Sequence, residues 1–184
     1  FNLPVLDTYT QMNGRIFHFL HTQKFSQQDF ANASSRFLRS TPFLREMLIV
    51  CMKDWLKRFM SDAGYALLAE NGAHMSFSAE KRKAEAYAVS SIRSLNIDDY
   101  GIEDGADCII LAPSSESLEP FIQFFREKGE LAEEKALQIW IMNLEKGTID
   151  PFIGYTTDLD IYNLFDNPRL AEMVRNNWSR GDGQ

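Results

Sequence analysis

The sequence has 184 residues, of which 45% are hydrophobic and 24% are charged, and its formal net charge is −7. A chain of this length and composition buries a core without disulfides or metals, which excludes an intrinsically disordered protein. The apolar run MLIVCM, residues 47–52, is far shorter than the roughly 20 residues that cross a bilayer. The sequence carries no signal-peptide pattern, so we expect a cytoplasmic protein.

The first half of the sequence predicts three helices. Apolar residues recur with a helical period over residues 8–22, and a second helix begins at Ser26, where SQQD resembles a capping box. Thr41 followed by Pro42 is typical of a helix start and predicts a third helix over residues 42–60. Because residues 47–52 are apolar almost all round, we expect this helix to be buried on nearly every side, at the centre of the core.

The middle of the chain predicts one further helix and one strand. Asn71 and Gly72 are typical of a helix end, and apolar residues spaced by three and four predict a helix from Ser78 to about residue 95. The run CIILAP, residues 108–113, is the clearest strand signal in the chain. A single strand needs a partner, which is either 151–155 or 3–6.

The C-terminal part predicts three more helices. The first is capped by Ser117 and ends at Gly129, the second covers 137–147, and the last begins at Asn167 and continues through Trp178. The predicted fold is therefore mainly α, a single domain over 1–184. It has six to eight helices around the central apolar helix, with a minor short β element near 108–112.

Charge is distributed unevenly along the chain. Residues 1–95 contain 12 Lys and Arg against 8 Asp and Glu, a net charge of +4. Residues 96–184 contain 7 against 18, a net charge of −11. The chain thus has a basic half, 1–95, and an acidic half, 96–184, and an acidic surface attracts basic partners.

The acidic half supplies the predicted binding residues for a protein partner with a basic surface. They lie in the stretch NIDDYGIEDGAD, residues 96–107, and around a predicted helix end. The predicted partner-binding residues are Asp98, Asp99, Glu103, Asp104, Glu127, Glu130, Glu133 and Glu134.

The stretch 96–107 also matches part of an EF-hand calcium loop when Gly101 takes the sixth position. Asn96, Asp98 and Asp107 then supply oxygen ligands, but Tyr100 stands where another oxygen is needed. The following segment also predicts a strand instead of the second helix of an EF-hand. We therefore expect a solvated acidic turn or a partner surface here, without calcium.

Two other groups of residues could hold a metal. Asp158 and Asp160 have the spacing by which some transferases bind a divalent ion, although Asp158 is also a good helix cap for the residues after it. His18 and His21 would share one helix face, without the Cys or Glu that usually completes a zinc site. We expect Asp158 to cap a helix and expect His18, His21 and His74 to lie at the core edge or on the surface. We expect Cys51 and Cys108 to be buried free thiols.

No nucleophile motif, phosphate-binding glycine loop or Cys-x-x-Cys pair is present, so the sequence predicts no catalytic residue and no cofactor. We expect a non-enzymatic protein-interaction domain of the adaptor, chaperone-like or inhibitor type, acting without a membrane. One alternative is a DNA-binding regulator, which would use the basic residues Arg36, Arg39, Arg45, Lys53, Lys57 and Arg58. The other is a metal-dependent enzyme that uses Asp158 and Asp160.

Overall fold

A computed structural model describes residues 6–12, 15–22, 24, 26–40, 42–100, 105–114, 119–170 and 172–173. The described N-terminal elements are β1 (Leu6–Met12), β2 (Arg15–His21), α1 (Gln27–Ser40) and α2 (Pro42–Asp62). Three strands follow, namely β3 (Ala66–Asn71), β4 (His74–Ala79) and β5 (Arg82–Ala88). After 3₁₀ turns at Ile92–Ser94 and Ile97–Asp99, the remaining elements are β6 (Ala106–Pro113), α3 (Glu119–Glu134), β7 (Leu137–Asn143), β8 (Thr148–Ile153) and α4 (Leu159–Tyr162).

Six of the strands form one mixed sheet in the order β3-β4-β5-β6-β7-β8, whereas β1 and β2 form a separate antiparallel hairpin. Pairs β5–β6 and β6–β7 are parallel, and the other pairs in the large sheet are antiparallel. Helix α3 makes the connection between the parallel strands β6 and β7, as such a connection requires a crossover. The sheet therefore has parallel strands β5, β6 and β7 at its centre and antiparallel strands on both sides, β3 and β4 on one and β8 on the other.

Two apolar clusters, one on each face of the sheet, form the core. Helix α2 covers one face, where Leu48, Met52 and Leu56 pack with residues of β4 to β8. Helix α3 and the 3₁₀ turns cover the other face, where Phe121 and Phe124 pack against β6, β7 and β8. Residues 108–113 of β6 are buried on both sides, which accounts for their continuous apolar sequence.

The prediction of a mainly α domain is wrong, because the fold is mixed α/β with a six-stranded sheet. Of the helix predicted over 8–22, residues 8–12 lie in β1 and 15–21 in β2, while residues 78–95 include β5 and residues 137–147 include β7. Asn71 and Gly72 lie at the turn between β3 and β4 and do not end a helix. In each case the spacing by three or four was compatible with a helix, but pairing with neighbouring strands decided the structure.

Three elements were predicted correctly. The strand over 108–113 is β6, and the helices that begin near Ser26 and Pro42 are α1 and α2. The capping box is present: the N–H of Asp29 donates to Ser26 Oγ at 3.1 Å, and the N–H of Ser26 donates to Asp29 Oδ2 at 3.3 Å. Of the proposed strand partners, 151–155 overlaps β8 in the same sheet but does not pair with β6.

The C-terminal helices differ from their predictions. Helix α3 continues through Gly129 to Glu134, and the chain then turns at Ala136, which has a φ of 51°. Ser117 and half of the predicted final helix lie outside the described residues, while Leu170, Glu172 and Met173 are helical as predicted.

Both cysteines are buried and free, as predicted. Burial, followed by the nearby charge of Glu85, raises the pKa of the Cys108 thiol to about 11. None of the described helices is both long enough and apolar enough to cross a membrane.

Helix α2 is buried along one stripe only, so the prediction of burial on nearly every side is wrong. Leu48, Met52, Leu56 and Met60 are fully buried, whereas Val50 is 48% exposed. Met47 and Ile49 are half-buried. A helix that covers one face of a sheet needs only one apolar stripe. Met47, Ile49 and Val50 lie outside the fully buried stripe and are therefore partly exposed.

We predict that Met52→Ala lowers the free energy of unfolding by about 2 to 5 kcal/mol, because it leaves a cavity between α2 and the sheet. Val50→Ala, on the exposed side of the same helix, should change it by less than about 1 kcal/mol, since Val50 is already 48% exposed whereas Met52 is fully buried. Urea unfolding followed by tryptophan fluorescence measures both. Equal losses in the two variants would contradict the orientation of α2.

Candidate functional site

The acidic residues of α3 lie on its outer side. Phe121, Phe124 and Ala132 face the sheet and are buried. Glu127, Glu130, Glu133 and Glu134 are all exposed. Glu127 accepts a hydrogen bond from Gln123 Nε2 at 2.9 Å, one turn earlier on the same helix. The amphipathic pattern of α3 therefore presents these carboxylates to solvent.

The structure brings part of the stretch 96–107 to the C-terminal end of α3. Lys135 Nζ lies 2.6 Å from Asp98 Oδ1, and this bond lowers the pKa of Asp98 below its ordinary value. Asp99 is exposed and accepts a hydrogen bond from Asn96 Nδ2 at 3.0 Å. We call Asp98, Asp99, Glu127, Glu130, Glu133 and Glu134 the acidic surface. Glu103 and Asp104, also predicted to bind the partner, lie outside the described residues.

The second helix of a calcium loop is absent, because β6 begins at Ala106, within the last two residues of the stretch 96–107. Asp107 accepts a hydrogen bond from Gln138 Nε2 at 3.1 Å, within the sheet. Within the described ranges, no group of three or more His, Cys, Asp or Glu side chains lies close enough together to hold a metal ion.

Asp158 caps α4, as the sequence predicted, and accepts a hydrogen bond from the N–H of Asp160 at 2.9 Å. Its other oxygen accepts a hydrogen bond from the Tyr65 hydroxyl at 2.6 Å and forms an ion pair with Arg82. The Asp158 side chain is 3% exposed, whereas that of Asp160 is 65% exposed. The two carboxylates thus occupy different environments, and that of Asp158 is already bonded on both oxygens.

Asp158 belongs to a polar cluster at one end of the sheet, which we call the strand-end cluster: Tyr65, Arg82, Asp107, Gln138 and Asp158. Tyr65 precedes β3, Arg82 begins β5, and Gln138 lies at the start of β7. Burial and the nearby Asp158 charge raise the pKa of the Asp107 carboxyl, while the hydrogen bond from Gln138 opposes this rise. The cluster ties the segment after β8 to the rest of the sheet.

The cations proposed for DNA binding are used largely within the fold. Lys53 is buried and bonds to Glu70 at 2.5 Å and to the carbonyl of Gly72 at 2.6 Å. Lys57 pairs with Asp54 and with the same Glu70, at 2.9 and 3.3 Å. Arg58 lies over the ring of Trp55. Of the remaining three, Arg36 and Arg45 are exposed, and the side chain of Arg39 lies outside the described part of the structure.

His18 and His21 belong to β2, where residues three apart point to opposite faces. His18 Nδ1 lies 3.0 Å from Asp7 Oδ2, and His21 Nε2 lies 3.4 Å from Thr8 Oγ1. The helix face that they were predicted to share does not exist, and the strand separates their rings.

The sequence reasoning missed a polar cluster on the sheet face opposite α2. His74 Nε2 and Ser76 Oγ both lie within hydrogen-bond distance of Glu85 Oε2, at 2.6 and 2.5 Å. The His74 ring also stacks on Tyr87. The alternation of polar and apolar residues in HMSFSA, residues 74–79, is the signal that predicts such a face, because every second side chain of a strand points the same way.

Most of the chain matches one protein family. Residues 34–167 match the family described as Domain of unknown function (DUF6834), C-terminal domain, and the chain belongs to that family. The matched region contains the whole six-stranded sheet and begins after the β1–β2 hairpin. No curated protein matches the sequence.

Two solved structures share a partial likeness to the fold. One is an XisH family protein from Nostoc punctiforme, with 15% identity and a TM-score of 0.37. The other is a fdxN element excision controlling factor protein from Anabaena variabilis, with 12% identity and a TM-score of 0.35. Each match covers 53% of this chain and 94% of the other.

We predict that Asp158→Asn lowers the free energy of unfolding by about 1 to 3 kcal/mol near neutral pH, because it weakens hydrogen bonds to a buried charge. Burial alone would raise the pKa of Asp158, but hydrogen bonds from Tyr65 and from the Asp160 N–H, with the Arg82 charge, hold it below 3.8. The stabilisation by the ionised group is thus present above pH 3.8 and is lost as the pH falls through the folded-state pKa.

Urea unfolding over a series of pH values checks this prediction. The difference between the original protein and the Asp158→Asn variant should shrink as the pH falls below 3.8. Asp160→Asn is the matched control, and its effect should stay below about 1 kcal/mol, as for other exposed ion pairs. A difference that does not vary with pH would show that the charge of Asp158 does not stabilise the strand-end cluster.

Proposed function

We propose that this member of the DUF6834 C-terminal domain family is a non-enzymatic protein-interaction domain that binds a basic protein partner through the acidic surface. The observation that carries the proposal is the two-sided character of α3. Phe121, Phe124 and Ala132 on its apolar side are buried in the core, whereas its carboxylates are exposed along the outer side.

The charge balance of α3 supports a partner of opposite sign. Within Glu119–Glu134 there are five Glu, against one Arg and one Lys. Such a concentration of like charge repels itself and adds little to the stability of the helix, so its use is better explained by an intermolecular contact. A basic surface approaching α3 would relieve this repulsion.

Electrostatic attraction of this kind acts mainly on the association rate. Opposite charges steer two proteins together over distances comparable to the Debye length, about 10 Å at 0.1 M salt. Dissociation depends more on the contacts that are buried once the complex has formed. A salt series therefore separates attraction by the acidic surface from other modes of binding.

The test compares the original protein with a variant in which Glu127, Glu130 and Glu134 are changed to Lys. Both are used to capture proteins from native lysate, and the captured proteins are quantified by mass spectrometry. For a protein lost from the variant, we expect the association rate with the original protein to fall several-fold between about 50 and 300 mM salt, with dissociation changed much less.

A matched control reverses three exposed acids outside α3, namely Glu46, Asp62 and Glu145, and so changes the net charge by the same amount. We expect this control to keep the partner that the α3 variant loses. Equal loss from both variants would indicate that only the total charge matters, and retention by both would remove the acidic surface as the docking site.

A further inference from the structure

Strand β3 is an open edge of the six-stranded sheet. It pairs with β4 on one side, and on its other side it pairs with no strand among the residues that the structure describes. All six residues of β3 are exposed, including Leu67 at 42% and Leu68 at 61%. An edge of this kind presents unpaired backbone N–H and C=O groups, which form a template for a further strand.

The two edges of the sheet differ in their protection. The opposite edge, β8, contains Pro151, which lacks the N–H that an added strand would need, and most of β8 is buried. Strand β3 contains neither proline nor lysine, the residues that most often guard an edge. Its single carboxylate, Glu70, is bonded to Lys53 and Lys57 of α2, so its charge is already balanced. Apart from this paired carboxylate, β3 has one protecting feature, a β-bulge at Leu68.

An edge strand pairs with another extended chain. The β3 strand of a second copy can pair with it so that side chains on the same face lie opposite one another and like charges do not. Pairing with β4 places Leu67 and Glu70 on the α2 face, and Ala66 and Asn71 on the other face. An antiparallel pair of β3 strands can therefore set Leu67 opposite Glu70 and Ala66 opposite Asn71, with side chains facing the same way. Glu70 does not face its own copy in this register, so no like charges lie directly opposite one another.

The same register explains the exposed leucine of the bulge. Leu68 lies next to the two-fold axis of such a pair, opposite Ala69 of the other copy, so the two Leu68 side chains cover each other. A two-fold axis needs only one self-complementary surface, which a single edge strand supplies.

We propose that two copies of this chain associate by antiparallel pairing of their β3 strands, which forms a continuous twelve-stranded sheet. The β3 edge lies at the opposite side of the sheet from β7 and β8, and α3 packs against β7 and β8. The proposal is therefore independent of the acidic surface, and either can fail without the other.

Sedimentation velocity of the full chain, from about 1 to 200 µM, tests the proposal, because the dimer fraction of a weak homodimer rises with concentration. We expect the original protein to move toward the mass of two chains. Leu68→Lys should remain at the mass of one chain, because it places two ammonium groups together at the axis. Leu159→Lys, at a position that is 71% exposed on α4, is the control and should dimerise as the original does.

Hydrogen exchange provides a second measurement that does not depend on a variant. Amides of residues 66–71 should exchange more slowly at the higher concentration, whereas those of β8 should be unchanged. A single-chain mass at all concentrations would overturn the proposal. So would a dimer that Leu68→Lys leaves intact while its folded state is preserved, or one that Leu159→Lys also disrupts.

Discussion

The architecture depends on one constraint, namely that β6 must be shielded from water on both faces. Ile109 and Leu111 point to the α2 side, and Cys108, Ile110 and Ala112 point to the α3 side, and all are buried. Such a strand needs cover on both faces of the sheet, and here α2 supplies one cover while α3 with the 3₁₀ turns supplies the other. Because β5, β6 and β7 run parallel, the connections between them must cross a face of the sheet, and these connections carry α3 and the 3₁₀ turns. The face opposite α2 is thus covered because the parallel strands require connections that cross it.

The sequence predicted the elements whose local signals are strong and failed where tertiary pairing decides. Helices α1 and α2 carry a capping box and a proline start, and β6 has an uninterrupted apolar run, so local chemistry was sufficient. Strand β7 was taken for a helix because Leu137, Trp140 and Ile141 recur at three and four. A strand buried on both faces has no alternation to reveal it, and its apolar residues then fit either period. The alternation in β4 was visible but was not used.

The exposure of the acidic side chains on α3 could be predicted from local sequence, whereas their use as a binding surface stays a prediction. Exposure of Glu127, Glu130 and Glu134 follows from helical spacing within α3, where Phe121 and Phe124 define the buried side. The cap at Asp158 was also predicted correctly, because N-caps depend on local sequence. Its bonds to Tyr65 and Arg82 could not be predicted, since they join residues brought together only when the sheet has formed. The ion pairs of Lys53 and Lys57 with Glu70 could not be predicted for the same reason, since they join α2 to β3.

The hydrogen bond between Tyr65 and Asp158 joins residues that are 93 positions apart. Closing so long a loop costs entropy before any contact offsets it, so we expect this bond to form after the intervening strands have assembled. The same order holds during synthesis, because Asp158 leaves the ribosome after β3 to β8 have been made. The segment around α4 is therefore the last part of the sheet's surroundings to dock. A nascent chain that stops before it would carry a sheet whose strand-end cluster is incomplete, with Arg82 deprived of its carboxylate.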